Sequence, residues 1–450
     1  MSHTQPFDIG EAIEHGPWTG YQKGILLLIV LGILLDGFNN QILGFAIPAL
    51  NESWHLKSAA FAPMVGATLI AMSVGTIVGG VAGDRFGRKL GLIVSVILFG
   101  VGTLATAFST SLSALFVLRV LGGLGLGGAM PNGTVLLAEY TPAARRGFAI
   151  SLGLVGVPLG GMVGGVVAAM TLAQFGWRTF FAIGGMIPIG VGVAMMLWLP
   201  EAPRYLLSKP GARPRLLQVL RRCGFDVAAD MPLIVQHGAR GRNARLAIFG
   251  RELLGDTLLL WSAYFFCLMS IYVMFNWLPA LLSAIGYDLS ASSSGLGGFN
   301  LGGIVGAVLG GAAIDRFGSK VTMATGAACG ALMAAAMAVG LLPLAHGVIE
   351  GVILLTMLGV FIQGVQTTLF ALAVQVYPES MRATGVGAAL GLGRLGGVAS
   401  AVAGVVLQRG VVVFFSTIAV SMIFVTGSLL AIKKHKASAK ALRLQEQHGV

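Results

Sequence analysis

GVAGDRFGRK, residues 80–89, is a short charged turn between two long apolar runs, and GAAIDRFGSK, residues 311–320, writes it a second time. A second pair of motifs follows each copy. Glu139-x-x-Pro142-x-x-Arg145-Arg146-Gly147 closes one apolar run, and Tyr377-Pro378-Glu379-x-x-Arg382-x-x-Gly385 closes another. Each motif falls at the same place in its own half of the chain, so the sequence is a weak internal repeat. Working outward from these turns, twelve apolar segments can be read, near 24–50, 58–82, 90–110, 112–138, 147–171, 177–199, 257–284, 292–314, 320–342, 348–376, 382–407 and 410–432. At about 1.5 Å per helical residue, each is long enough to cross or nearly cross a bilayer core of about 30 Å. The expected fold is therefore an all-α membrane protein, with twelve transmembrane helices in two pseudo-symmetric six-helix bundles. The expected divisions are an N-terminal segment (1–23), a first bundle (24–199), a polar Arg-rich linker (200–256), a second bundle (257–432) and a tail (433–450). Two parallel repeats with a substrate site at their interface is one established transporter plan.

Composition excludes most other classes. Hydrophobic residues make up 56% of the chain and charged residues 10%, against about 25% charged in soluble domains. The 67 glycines lie among Leu, Val, Ala and Ile, where small residues let membrane helices pack closely. The net charge of +12 follows topology and does not signal a nucleic-acid partner. With the N-terminus placed inside, the outer loops hold only Lys57, Arg178 and Arg409, and two cations (Arg119, Arg394) lie within segments. The remaining Lys and Arg are cytoplasmic, which is the positive-inside pattern with both termini inside. The first 23 residues are polar and mixed, and the first apolar run is too long for a signal h-region, so no cleavable leader is read. The expected residence is an inner or plasma membrane.

The chemistry classes narrow in the same way. Cys223, Cys267 and Cys329 are widely spaced and form neither a disulfide framework nor a metal site. All seven histidines lie outside the apolar segments. No Gly-Lys dipeptide occurs, so a phosphate-binding G-x-x-x-x-G-K-[ST] loop is impossible and an ATP-driven pump is excluded. Neither an enzyme nor a cofactor is expected.

What remains are ionisable and polar groups at membrane depth. Asp36, in GILLLIVLGILLDGFNNQILGFAIPAL (24–50), lies about 18 Å into its segment, near mid-bilayer. An intramembrane acid is a functional-site hypothesis by default. Asp36, Asn39, Asn40 and Leu43 share one helix face, which must look into the bundle or a wet cavity, and Asn39 and Asn40 are expected to meet the substrate there. Burial favours the neutral carboxyl and a nearby cation favours the charged one. An acid poised between the two can take up a proton on one side and release it on the other. The alternative is a permanent Asp–Arg pair that locks helices together. Arg394, in GLGRLGG, is also deep, with glycines that could admit a substrate close to the backbone. Its partner is either Asp36 or a bound carboxylate, which a guanidinium matches with two parallel hydrogen bonds. Arg119 either acts in the bundle or snorkels to the outer surface. Gln363, Gln366, Thr367 and Phe370 share a face of segment ten, and Phe265, Tyr272 and Asn276 share one of segment seven. Converging amide and aromatic groups would suit a flat ring with polar substituents, though such stripes also serve helix packing. The glycine rows Gly75, Gly79, Gly83 and Gly302, Gly306, Gly310 permit close helix contact, either between halves that rock or in static packing.

Together the GxxxDRxGRK turn and its second copy, RVLGGLGLGG in segment four and LPEAPRYLL after segment six resemble the major facilitator superfamily over residues 20–432. Within it, Asp36-Gly37-Phe38 followed by GFAIPAL, then PEAPRYL, and GLGRLGG around Arg394 are similar to the aromatic acid:proton symporters. That family usually carries a second acid three residues after the first, where this chain has Asn39. The resemblance implies proton transfer at Arg119 as well as Asp36. It also implies gating by Asp84, Arg85, Arg88, Asp315, Arg316, Glu139 and Arg145. The implied function is uptake of a small organic anion, a benzoate or hydroxybenzoate type, together with protons, by a monomer in the lipid bilayer. Two rival readings are proton-driven efflux, because Gly156-Val157-Pro158-Leu159-Gly160-Gly161 lies close to the G-P-x-x-G-G of antiporters, and symport of another, non-aromatic carboxylate, because Asn39 stands where the family carries its second acid.

Overall fold

The structure, a computed structural model, describes residues 6–228, 230–234, 250–342, 347–378, 381–406 and 410–435. Glu379 of the second motif pair and residues 235–249 of the linker lie outside these.

Eleven helices among the described residues are long and apolar enough to cross a membrane. Segments one to four are Gly20–Trp54, Ala62–Phe86, Arg88–Thr106 and Leu112–Tyr140. The next stretch, Ala143–Trp198, has 56 residues, about 84 Å of helix and far more than one crossing needs. It breaks at Gly176 (φ 75°, ψ 171°), a backbone region that glycine alone reaches easily, so it holds segments five and six. Segments seven to twelve are Arg251–Ala284, Leu289–Phe317, Ser319–Ala336, Val348–Val376, Arg382–Val406 and Val411–Ala431. Twelve spans and a helical architecture thus agree with the hydropathy reading.

Local rules explain the ends. Segment one opens on a capping box: Thr19 N–H donates to Gln22 Oε1 (2.8 Å) and Gln22 N–H to Thr19 Oγ1 (3.4 Å). Ser111 and Asp288 cap segments four and eight by accepting from Ala114 N–H and Ala291 N–H. The repeated charged turns share a backbone device, since Gly87 (φ 111°) and Gly318 (φ 85°) each take a positive φ between consecutive helices. Each copy also lays its arginine over the next phenylalanine, Arg85 on Phe86 and Arg316 on Phe317, both at 5.4 Å.

The chain forms two compact units. The first comprises Met1–Asn40, Ile70–Gly160 and Phe181–Gly238. Ile29, Ile33, Val96, Phe99 and Leu136 are buried in it, while Ile77, Val81 and Val94 are exposed. The second comprises Gln41–Leu69, Gly161–Phe180 and Ala239–Val450, with Phe45, Phe180, Tyr264, Phe299 and Phe414 buried and Val308, Leu332 and Ile423 exposed. Such exposed apolar rows on long helices are what a lipid solvent requires.

The glycine rows resolve within these units. Gly75, Gly79 and Gly83 of segment two lie against Leu124, Gly128 and Asn132 of segment four. Gly302, Gly306 and Gly310 of segment eight lie against Thr356, Val360 and Thr368 of segment ten. Both rows join helices of the same repeat, in equivalent positions, and the between-halves reading of them is replaced by packing inside each half. Short elements outside the long helices add a small cover to the first unit. Phe7–Asp8 and Leu233–Ile234 pair as two parallel strands, and the short helix Ile9–His15 buries Ile9 and Ile13.

Candidate functional site

In the first unit, Asp36 and Asn39 are buried on the bundle face of segment one and Asn40 is half-buried. The Asn39 amide is fully engaged. Its Nδ2 donates to the carbonyls of Leu35 (3.2 Å) and Gly184 (3.0 Å), and its Oδ1 accepts from Thr103 Oγ1 (2.7 Å). It therefore ties segment one to segments three and six. A carboxylate at this position would turn oxygen lone pairs toward two carbonyl oxygens, which explains why an amide, and not a second charge, suits this chain.

Arg119 reaches the same place from segment four. Its Nη2 donates to the Asn39 carbonyl at 3.3 Å, and its Nε and Nη1 have no hydrogen-bond partner among the described residues. At 2% exposure it points into the bundle, so the snorkelling alternative is set aside. A cation with unsatisfied N–H groups beside Asp36's own helix is a centre of positive potential in a dry setting. The structure thus brings Arg119 and Asn39 together on the segment that carries Asp36.

In the second unit, Tyr272 and Asn276 are buried on segment seven, with Asn276 Nδ2 donating to the Tyr272 carbonyl (2.8 Å). The Gln363 amide donates to the Phe299 carbonyl of segment eight (3.0 Å), and Thr367 Oγ1 donates to the Gln363 carbonyl (3.0 Å). Gln366, Thr367 and Phe370 are half-buried, as is Phe265. Arg394 is half-buried on segment eleven. Three of the four glycines around it are occupied: Gly393 lies against Tyr264 and Leu268, Gly396 against the Phe265 backbone and Gly397 against the Tyr272 ring, while Gly391 has open space beside it. Segment seven takes the space that the sequence left for a ligand near these three glycines, and in doing so places Tyr272 beside segment eleven.

The residues expected to gate divide into engaged and exposed groups. Arg88 pairs with Asp84 and donates from Nη1 to Asn132 Oδ1 (3.2 Å), while Asn132 Nδ2 donates to the carbonyls of Gly79 (3.0 Å) and Gly128 (2.8 Å). Asp84, Arg85, Asp315 and Arg316 are exposed. Glu139 and Arg146 line a cavity of about 310 Å³ with Arg204, and Arg146 pairs with Glu14 at 3.4 Å. Arg145 lies over the Trp18 ring at 5.9 Å.

Four residues of these networks, Glu201, Thr103, Gln41 and Asn300, were not singled out by the sequence. Glu201 accepts from the backbone N–H of Lys89 and of Ala202, both at 2.9 Å, and its carbonyl accepts from Tyr140 OH (2.6 Å). It stands in LPEAPRYLL, so its motif was visible but its role was not. Thr103 carried no signal. Gln41 and Asn300 bond each other within the second unit through two amide contacts; Gln41 adjoins Asn40, and that polar pair was the only hint.

The family described as Major Facilitator Superfamily matches residues 29–401. A 4-hydroxybenzoate transporter of Pseudomonas aeruginosa is 35% identical over 415 residues, covering 89% of each chain. A gallate transporter of Pseudomonas putida is 34% identical over 411 residues, covering 90% of each. A benzoate transport protein of Acinetobacter baylyi is 28% identical over 404 residues, covering 88% of this chain and 85% of its own. Among solved structures, the xylose transporter XylE from E. coli superposes with a TM-score of 0.70 at 17% identity, covering 91% of this chain and 97% of that one. A bacterial homologue of the human lysosomal transporter Spinster gives 0.64 at 16% identity, covering 92% and 95%.

Proposed function

Because the chain belongs to the major facilitator superfamily, a family of transporters and not of enzymes, we propose that it is a proton-coupled importer of a small aromatic carboxylate. The observation that carries the substrate class is the near-full-length similarity to 4-hydroxybenzoate and gallate transporters, joined to a first unit that buries both an acid, Asp36, and a guanidinium, Arg119. In this reading Asp36 takes up and releases the proton, and the buried Arg119 supplies the positive potential that favours release. Arg394 meets the substrate carboxylate. Tyr272 and Asn276, with Gln366, Thr367 and Phe370, meet the ring and its hydroxyls. Asn39 acts by holding segment one in register, since its amide is already engaged. The charged turns gate. Both termini lie on the cytoplasmic side of the inner membrane, as the Lys and Arg distribution requires.

Efflux by antiport is the second reading, supported by the segment-five run. There, Gly156 and Gly160 lie against Ile33 and Leu34 of segment one and Gly161 against Gln41, so the run is a close helix seam. Proteoliposomes separate the two directions. With the outside acid, labelled 4-hydroxybenzoate should accumulate in right-side-out vesicles and a protonophore should abolish the accumulation. Accumulation only with the inside acid would establish efflux, and no proton dependence in either direction would end the coupled reading.

A further inference from the structure

Segment one and segment eight meet through a reciprocal pair of amides. Gln41 Nε2 donates to Asn300 Oδ1 at 3.2 Å, and Asn300 Nδ2 donates back to Gln41 Oε1 at 2.7 Å and to the Leu296 carbonyl at 2.9 Å. Both side chains are completely buried. Segment five closes over them at Gly161, where a Cβ would strike both amides, and Gly165 packs against Gly297 one turn along. On the same side Gly44 lies against the Phe275 backbone. A seam built only to hold helices together needs small and apolar residues, as Gly165 and Gly297 show. A pair of long amides in its middle is a different choice.

Amides are bonded when the seam is dry and are equally well satisfied by water when it is wet. Gln41 belongs by sequence to the first repeat and Asn300 to the second, and repeats of this kind work by parting and closing around a fixed site. We infer that Gln41 and Asn300 form a polar latch that sets the balance between the closed and the parted seam in the outer halves of segments one, five and eight, close to their mid-length. They are positioning residues: they act through the seam and not on the substrate. Two leucines of similar length would keep the closed seam comfortable but make its parting expose apolar surface. One leucine would strand the remaining amide in the closed seam without a partner.

The inference rests on the transporter reading for which side is outer, and the experiment keeps the two apart. Ser293, buried two turns from Asn300 on segment eight, becomes a reporter as Ser293→Cys, with Cys223, Cys267 and Cys329 replaced by alanine. The rate of labelling by a membrane-impermeant maleimide is read in cells and in inverted vesicles, in the absence of substrate. Gln41→Leu or Asn300→Leu alone should raise the rate about tenfold. The double variant Gln41→Leu/Asn300→Leu should label at or below the parent rate and transport more slowly, with KM little changed. The exchanged pair Gln41→Asn/Asn300→Gln should restore both rates toward the parent. Single variants that reach the membrane normally yet label like the parent would overturn the latch, as would additive effects in the double variant. The same pattern seen only in inverted vesicles would support the latch while reversing the topology proposed above.

Discussion

Asp36 and Arg394 make opposite demands on their surroundings, and a conservative change at each isolates one property. Asp36→Asn keeps the shape of a buried side chain and removes only the titratable oxygen. If the proton is carried there, the variant should lose accumulation against a gradient, its inside-to-outside ratio falling to about one, while exchange of labelled for unlabelled substrate continues. Accumulation at the parent level would remove Asp36 from the coupling step. Arg394→Lys retains the charge and loses the planar fork, so substrate affinity should fall about tenfold, with expression unchanged. Unaltered affinity would make Arg394 a helix-to-helix partner. Asn39 shows how much a single residue can conceal. The sequence marks it as a missing charge, whereas in the structure it donates to two carbonyls and accepts one hydroxyl. The bonds to Thr103 and Gly184 come from segments three and six, distant in sequence, and no pattern along segment one could announce them.

Helices were legible wherever an interval of apolar residues had polar bounds, which is why eleven long helices and the repeat match the hydropathy reading. The Gly176 break needed no polar loop, only a residue able to reach φ 75°, and the drop in apolarity around it was enough to place it. Helix neighbours were less legible. The glycine rows state that something comes close but not what, and the structure assigns them to segments four and ten. Gln41 was missed because, at about 100° per residue, it projects from the side of the helix roughly opposite the face that Asp36 and Asn39 define, toward a partner in the other repeat. Two consequences belong to this scale. Gly87 holds φ 111° with Glu201 Oε2 in the place a Cβ would take. Gly87→Ala should therefore cost about 1–3 kcal/mol of stability, read as a lowered melting midpoint in detergent, while Gly80→Ala, with open space around it, should change nothing. His435 ties the end of segment twelve to the start of segment nine. Its Nε2 donates to the Leu429 carbonyl (3.0 Å) and its Nδ1 accepts from Ser319 Oγ (3.2 Å). Burial, with a smaller push from Lys320, lowers its pKa below the usual imidazole value. The folded state thus holds this proton less tightly than the unfolded chain. The contribution is full above pH about 6.5 and is lost as pH falls through the lowered value. The melting midpoint of the parent should drop over that range, and His435→Gln should lose this part of the drop.

Across the whole molecule, hydropathy carries the class and charge the proposed orientation, but substrate identity comes from chemistry that only a few residues carry. The substrate proposed above is an aromatic anion, and each half of that phrase can be tested by itself. The anionic half requires that a carboxylate be read. Unlabelled 4-hydroxybenzoate, gallate and benzoate should therefore inhibit uptake of the labelled acid, while 4-hydroxybenzamide, which keeps the ring and hydroxyl but presents no charge to Arg394, should be weaker by at least about tenfold. The aromatic half requires that the ring be read. Cyclohexanecarboxylate, with the same charge and nearly the same size, loses the flat face that Tyr272 and Phe370 can pack against, and should compete less well than benzoate. Benzoate without a hydroxyl should in turn fall below 4-hydroxybenzoate if the amides of segments seven and ten meet the ring substituent. Equal inhibition by acid and amide would show that no carboxylate is recognised and would remove Arg394 from the site. Equal inhibition by the flat and the puckered ring would leave an organic-acid transporter whose aromatic preference is wrong, even with Arg394 in its assigned role.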